Sequence, residues 1–139
     1  MYHLTKNLRF ESAHRLGKGY SGKCQNIHGH SWNGHISVSV DDLDQYDMGV
    51  DFKDLGTFCK MIEGILDHKL LVLAEDQELI SLCVKEGWAH VVFEKNPTCE
   101  TIAAWIHAKA VDFYSAWPKV KVDSVTIEET CTTSCTYKP

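Results

Sequence analysis

The chain has 139 residues, 44% hydrophobic and 24% charged, which suits one globular domain over residues 1–139 and excludes disordered and collagen-like classes. Its net charge is −5 and its 14 basic residues are scattered. No stripe capable of displacing counterions from nucleic acid is visible, and no nucleic-acid partner is expected. No purely apolar run is longer than Leu70 to Ala74, far short of the ~20 residues of a membrane span. The opening Met1-Tyr2-His3-Leu4-Thr5-Lys6 has no basic segment followed by an apolar leader core. A cytoplasmic protein without membrane contact is expected, with its six cysteines reduced.

Tyr2, Leu4, Leu8 and Phe10 share one parity that continues through Ser12 to His14, the period of a strand with one buried face. A glycine-rich connection (Gly17, Gly19, Gly22) carries the chain past Cys24 to a second alternating run, with His28, His30, Trp32, Ile36, Val38 and Val40 on one parity. The two runs read as an antiparallel pair. Asp51 is an N-cap for an amphipathic helix through Phe52, Leu55, Phe58, Ile62 and Leu66, ending near Asp67-His68. A short helical stretch near Asp76–Lys85 and a short strand at His90–Glu94 follow. Asn96-Pro97-Thr98 starts a helix capped by Thr98 that stops before Pro118, and strands at Val120–Glu129 and Thr133–Tyr137 close the chain. This order predicts an α+β domain, an antiparallel sheet with helices on one face.

His28-Gly29-His30 puts two imidazoles on one side of a strand. By extrapolated parity His14 faces the same volume from the neighbouring strand. Three converging histidines match a catalytic zinc site with an open position, although a His-x-His pair alone is equally at home as ordinary polar residues. His3, His35, His90 and His107 show no such convergence and read as surface or packing residues. Cys24, beside Lys23, is open to three readings: metal ligand, general base or nucleophile, or inert loop thiol. In Asp67-His68 the carboxylate can orient the imidazole for proton transfer, but only if the helix ends there; a plain charged helix end is the alternative. Glu129 shares the parity of Val125 and Ile127, so its carboxylate needs a partner, either a salt bridge or a flat heterocycle with adjacent N–H donors.

Taken together, Phe10-Glu11-Ser12-Ala13-His14-Arg15-Leu16, Cys24-Gln25-Asn26-Ile27-His28-Gly29-His30, Val50-Asp51-Phe52, Leu66-Asp67-His68, Asn96-Pro97-Thr98-Cys99-Glu100 and Glu129-Thr130 resemble the 6-pyruvoyl-tetrahydropterin synthase and 6-carboxytetrahydropterin synthase family. The resemblance implies the tunnelling fold (T-fold), a four-stranded antiparallel sheet with two main helices, assembled as a homohexamer with pockets between subunits. It implies that His14, His28 and His30 hold Zn2+, that Cys24 is the catalytic base with Asp67 and His68 as relay partners, and that Glu129 anchors a pterin. Thr98 and Glu100 match a motif that lines the pterin pocket.

The short Cys24–His28 spacing and the ending Glu129-Thr130-Cys131-Thr132-Thr133-Ser134-Cys135 resemble the bacterial carboxytetrahydropterin branch. Members of that branch convert 7,8-dihydroneopterin triphosphate to 6-carboxytetrahydropterin, acetaldehyde and triphosphate on the route to queuosine. Alternatives are the pyruvoyl reaction, an aldolase-like cleavage and a catalytically silent zinc-binding paralogue. The stretch Lys69 to Lys95 is longer than in compact members, and Cys131 and Cys135 have no assigned role.

Overall fold

The protein is described by a computed structural model covering residues 1–17 and 19–139. Strands β1 (Tyr2–His14) and β2 (His28–Val40) pair antiparallel in unbroken register from Tyr2↔Val40 to His14↔His28. Helix α1 (Phe52–Leu66), strand β3 (Lys69–Leu73), helix α2 (Gln77–Glu86), strand β4 (His90–Phe93), helix α3 (Cys99–Tyr114) and strands β5 (Lys121–Thr130) and β6 (Thr133–Tyr137) follow. The sheet order is β4-β3-β1-β2-β5-β6. Among the described residues, no helix is long and apolar enough to cross a membrane.

The α+β class is as expected, but among the described residues the sheet has six strands rather than four and is mixed. β3 runs parallel to both β1 and β4. β3 escaped the pattern of alternation because it is covered on both sides, so its sequence is a continuous apolar run rather than an alternating one. Leu71 joins the main core beneath α1 and α3, whereas Leu70 and Val72 pack with Leu79 and Cys83 of α2. Thus α1 and α3, the two main helices, share one face of the sheet as expected, and the short α2 lies on the other.

The main core is laid down by the even-numbered residues of β1 and β2, with Phe10, Trp32, Ile36 and Val38 almost fully buried against Phe58, Ile62, Ile102 and Ile106. Gly34 lets β5 approach β2 closely, since a Cβ there would collide with the carbonyl oxygen of Thr126. The helix starts follow the sequence. Asp51 accepts from the Lys53 amide, Asp76 from Leu79, and Thr98 forms a reciprocal capping box with Thr101. Gly87 closes α2 in the left-handed conformation, with φ of 71°.

Candidate metal centre and its pocket

The unbroken β1–β2 register places His14 opposite His28 and Ser12 opposite His30, so the three even-numbered imidazoles meet on the core face. Trp32 forms their platform. Its ring lies edge-on to His14 and His30 at centroid distances of 5.1 and 5.0 Å, and its indole N–H donates to the Ser12 carbonyl. From β5, Glu129 brings Oε1 to 3.6 Å from His14 Nε2 and 3.3 Å from His30 Nε2. One ligand atom from each of His14, His28, His30 and Glu129 lies within 4.8 Å of all the others.

The hydrogen bonds fix the tautomers. His14 Nδ1–H donates to the Pro97 carbonyl at 2.6 Å, and His28 Nδ1–H donates to the Asn26 carbonyl at 2.8 Å. Both Nε2 lone pairs are thereby turned toward each other, 3.1 Å apart, an arrangement that a cation between them relieves. Among the described residues His30 Nε2 is buried with no hydrogen-bond partner, Glu129 Oε1 standing near it. Burial pushes the pKa of His14 and of His30 below the usual imidazole value, which favours the neutral, ligating form. An all-imidazole set with one carboxylate suits a borderline-soft divalent metal, so the donors fit a metal ion.

A cavity of about 280 Å³ opens on this cluster, lined among others by His14, Tyr20, Cys24, His28, Glu100 and Glu129. Cys24 sits on a short 3-10 turn, Lys23–Gln25, and is half-buried. It shares the cavity without entering the mutually close ligand set. Cys99 also lines the cavity, but its thiol donates to the Ile127 carbonyl and burial pushes its pKa up to about 11, which makes it a poor base. Thr98 and Glu100 stand at the α3 N-terminus on the cavity wall. There the helix-start backbone N–H of Glu100, and then the Thr98 hydroxyl, hold the Glu100 carboxyl below the usual range. Tyr20, Leu16, Thr133, Ser134 and Cys135 complete the lining. The first four come from loop and strand-end positions that carry no periodic signal.

Asp67 and His68 are placed elsewhere. α1 ends at Leu66, the condition for a direct bond, and His68 Nδ1–H donates to Asp67 Oδ2 at 2.7 Å. Asp67 Oδ1 accepts the Glu11 amide at 2.8 Å, and the His68 amide donates to the Glu11 carbonyl. The Glu11 amide, followed by His68, keeps the Asp67 carboxyl below its ordinary value. His68 itself has φ of 55°, an uncommon conformation for a residue with a side chain. It opens onto a groove of about 840 Å³ bordered by Ala13, Ile27, Gly29, His30 and Trp88, which does not include His14, His28 or Glu129. Within one chain, therefore, this dyad and Cys24 line different cavities. Among the described residues the larger groove holds no converging set of three metal donors, so the smaller cavity is the candidate site.

Known proteins agree with this geometry. The sequence model of the family described as 6-pyruvoyl tetrahydropterin synthase matches residues 3–139. A 6-carboxy-5,6,7,8-tetrahydropterin synthase of Aquifex aeolicus is 30% identical, with 99% of this chain and 98% of the relative covered. One of Synechocystis is 32% identical, with 99% and 93% covered. Among solved structures, an uncharacterised protein of Wolinella succinogenes superposes with a TM-score of 0.85 at 21% identity, covering 99% of this chain and 97% of that one. The 6-pyruvoyl tetrahydropterin synthase of Caenorhabditis elegans gives 0.72 at 24% identity, covering 99% and 95%; both structures speak to the fold. With the T-fold architecture and the matched sequence in agreement, the chain belongs to the 6-pyruvoyl tetrahydropterin synthase family of enzymes.

Proposed function

We propose that this protein is a zinc-dependent lyase converting 7,8-dihydroneopterin triphosphate and one water to 6-carboxy-5,6,7,8-tetrahydropterin, with release of acetaldehyde and triphosphate, in cytoplasmic queuosine biosynthesis. The carrying observation is the cluster of His14, His28, His30 and Glu129 within 4.8 Å, in the same cavity as the Cys24 thiol. The names of the relatives at about 30% identity favour the carboxy product over the pyruvoyl one.

In this reading residues 1–139 form one domain, and His14, His28 and His30 hold Zn2+. When bound, the ion supplies Lewis-acid polarisation of substrate oxygens and favours charge developing on them. Glu129 is given to the pterin, whose flat edge offers paired N–H donors to a carboxylate; Thr98 and Glu100 border the same binding space. Cys24 Sγ takes the proton from the substrate side chain. His68, oriented through Nδ1 by Asp67, presents Nε2 as the group that returns a proton. Because the Asp67–His68 corner and Cys24 line different cavities of one chain, the reading includes a homohexamer in which one copy supplies the dyad to a neighbour's Cys24. Exposed Ile27 and Trp88 beside the His68 groove support burial of that face by another copy.

Cys24→Ala tests the assignment. Turnover of 7,8-dihydroneopterin triphosphate is expected to fall by about 100-fold or more, the scale of a lost general base, with zinc content at the wild-type level. Unchanged turnover would remove Cys24 as the base. Parallel loss of zinc would make it a ligand instead.

A further inference from the structure

We infer that Arg15, Asp76 and Asn96 are positioning residues that seat the Cys24 turn against the histidine end of β1, an inference that rests on the reading of Cys24 as the base. β1 ends at His14, and each of the next three residues is held by a different part of the molecule. The Arg15 guanidinium grips Asp76 with both arms of its fork, Nε to Oδ2 at 2.7 Å and Nη2 to Oδ1 at 2.8 Å. The Leu16 amide donates to the Cys24 carbonyl at 2.9 Å. The Gly17 amide donates to Asn96 Oδ1 at 2.7 Å.

The anchors are themselves fixed. The Asp76 side chain is only 3% exposed, and its Oδ1 also caps α2 by accepting the Leu79 amide. A charge-assisted, bidentate pair on so buried a carboxylate defines both distance and orientation. Asn96 precedes Pro97, whose carbonyl orients His14, so adjacent residues hold the metal-side imidazole and the Gly17 backbone. Gly17 has no slack either, since a Cβ there would stand 2.8 Å from Leu73 Cδ2 and 3.3 Å from Asn96 Oδ1.

The Cys24 turn is closed internally by Gln25 N–H to the Gly22 carbonyl and Asn26 N–H to the Lys23 carbonyl. These local bonds shape the turn but do not place it. On the β2 side the turn is tied to His28 through the Asn26 carbonyl; on the β1 side it is placed through Leu16, which Arg15 and Gly17 hold from either side. The long Lys69–Lys95 stretch thereby serves to deliver Asp76 to the end of β1.

The test uses the full-length, zinc-loaded protein. Asp76→Asn is the mild variant, since an amide Oδ1 still caps α2 and accepts from Nη2 while the Nε arm of the Arg15 fork loses its acceptor. Arg15→Gln removes the fork, and Arg15→Lys returns the charge without it. All three are expected to lower kcat about tenfold with KM within about twofold and zinc content unchanged, the pattern of a displaced base. Independently of activity, iodoacetamide labelling read by peptide mass spectrometry should show Cys24 reacting about threefold faster relative to exposed Cys131, as the loosened turn opens. Wild-type kcat with an unchanged Cys24:Cys131 ratio would overturn the inference. So would a kcat loss matched by zinc loss, which would assign the set to the metal site. Cys24→Ala run alongside separates the two levels: retained turnover there rejects the base assignment, while the labelling ratio still decides the positioning.

Discussion

The two faces of the β1–β2 ribbon are built for different purposes. The even-numbered face carries Phe10, His14, His30 and Trp32, all buried or half-buried beneath α1 and α3. The odd-numbered face carries Glu11, Ala13, Gly29 and Ser31, small or polar, bordering the open groove into which His68 projects. One strand pair thus builds a desolvated pocket of candidate metal donors and, one residue out of phase, an open groove onto which the Asp67–His68 pair faces. Desolvation pushes the pKa of His14 and His30 down, whereas the Asp67 carboxyl is held low chiefly by hydrogen bonds. A pocket tuned by burial depends on core packing, and a corner tuned by hydrogen bonds does not.

This contrast can be broken most forcefully at Trp32. Trp32→Ala empties a fully buried site and is expected to cost about 3–5 kcal/mol in urea unfolding, with metal affinity falling too because the imidazole platform is lost. Mutating residues that merely support metal ligands costs about 10–100-fold in affinity. His30→Ala should therefore lose at least that much in a competitive chelator titration while retaining most of the fold.

On the wet face the lever is pH. The Asp67 carboxyl lies lower in the folded chain than in the unfolded one. Its contribution to stability is thus present above the unfolded value of about 3.9 and is lost as pH falls through the folded value. Asp67→Asn should flatten that acid limb of the unfolding midpoint and leave metal affinity unchanged. The smallest effect is expected at Ser31→Ala. It removes the hydroxyl bond to Glu11 Oε2, the main influence holding the Glu11 carboxyl low; Glu11 should titrate higher by NMR, with little change in the denaturation midpoint.

Much of the site was legible because strand parity is a strong signal. Thirteen paired residues without a bulge carry the alternation from Tyr2 to His14, so the histidines converge as their spacing predicts. Thr98 was legible from Asn96-Pro97-Thr98, and Glu129 from the phase of Val125 and Ile127, even though the β5–β6 pairing is irregular between Glu128 and Thr130. β3 was hidden because burial on both sides erases alternation. The separation of Asp67–His68 from the Cys24 cavity was hidden for another reason. It depends on which sheet face the α1–β3 corner reaches, and neither propensity nor spacing encodes that. Arg15, Asp76 and Asn96 were likewise unreadable, since their bonds span 61 and 79 positions of sequence.

The most direct test of the proposed lyase activity is to give the zinc-loaded protein 7,8-dihydroneopterin triphosphate under anaerobic conditions and identify the products by mass spectrometry. The predicted products are 6-carboxytetrahydropterin, acetaldehyde and triphosphate. Pyruvoyl-tetrahydropterin alone, or unchanged substrate, would contradict that activity.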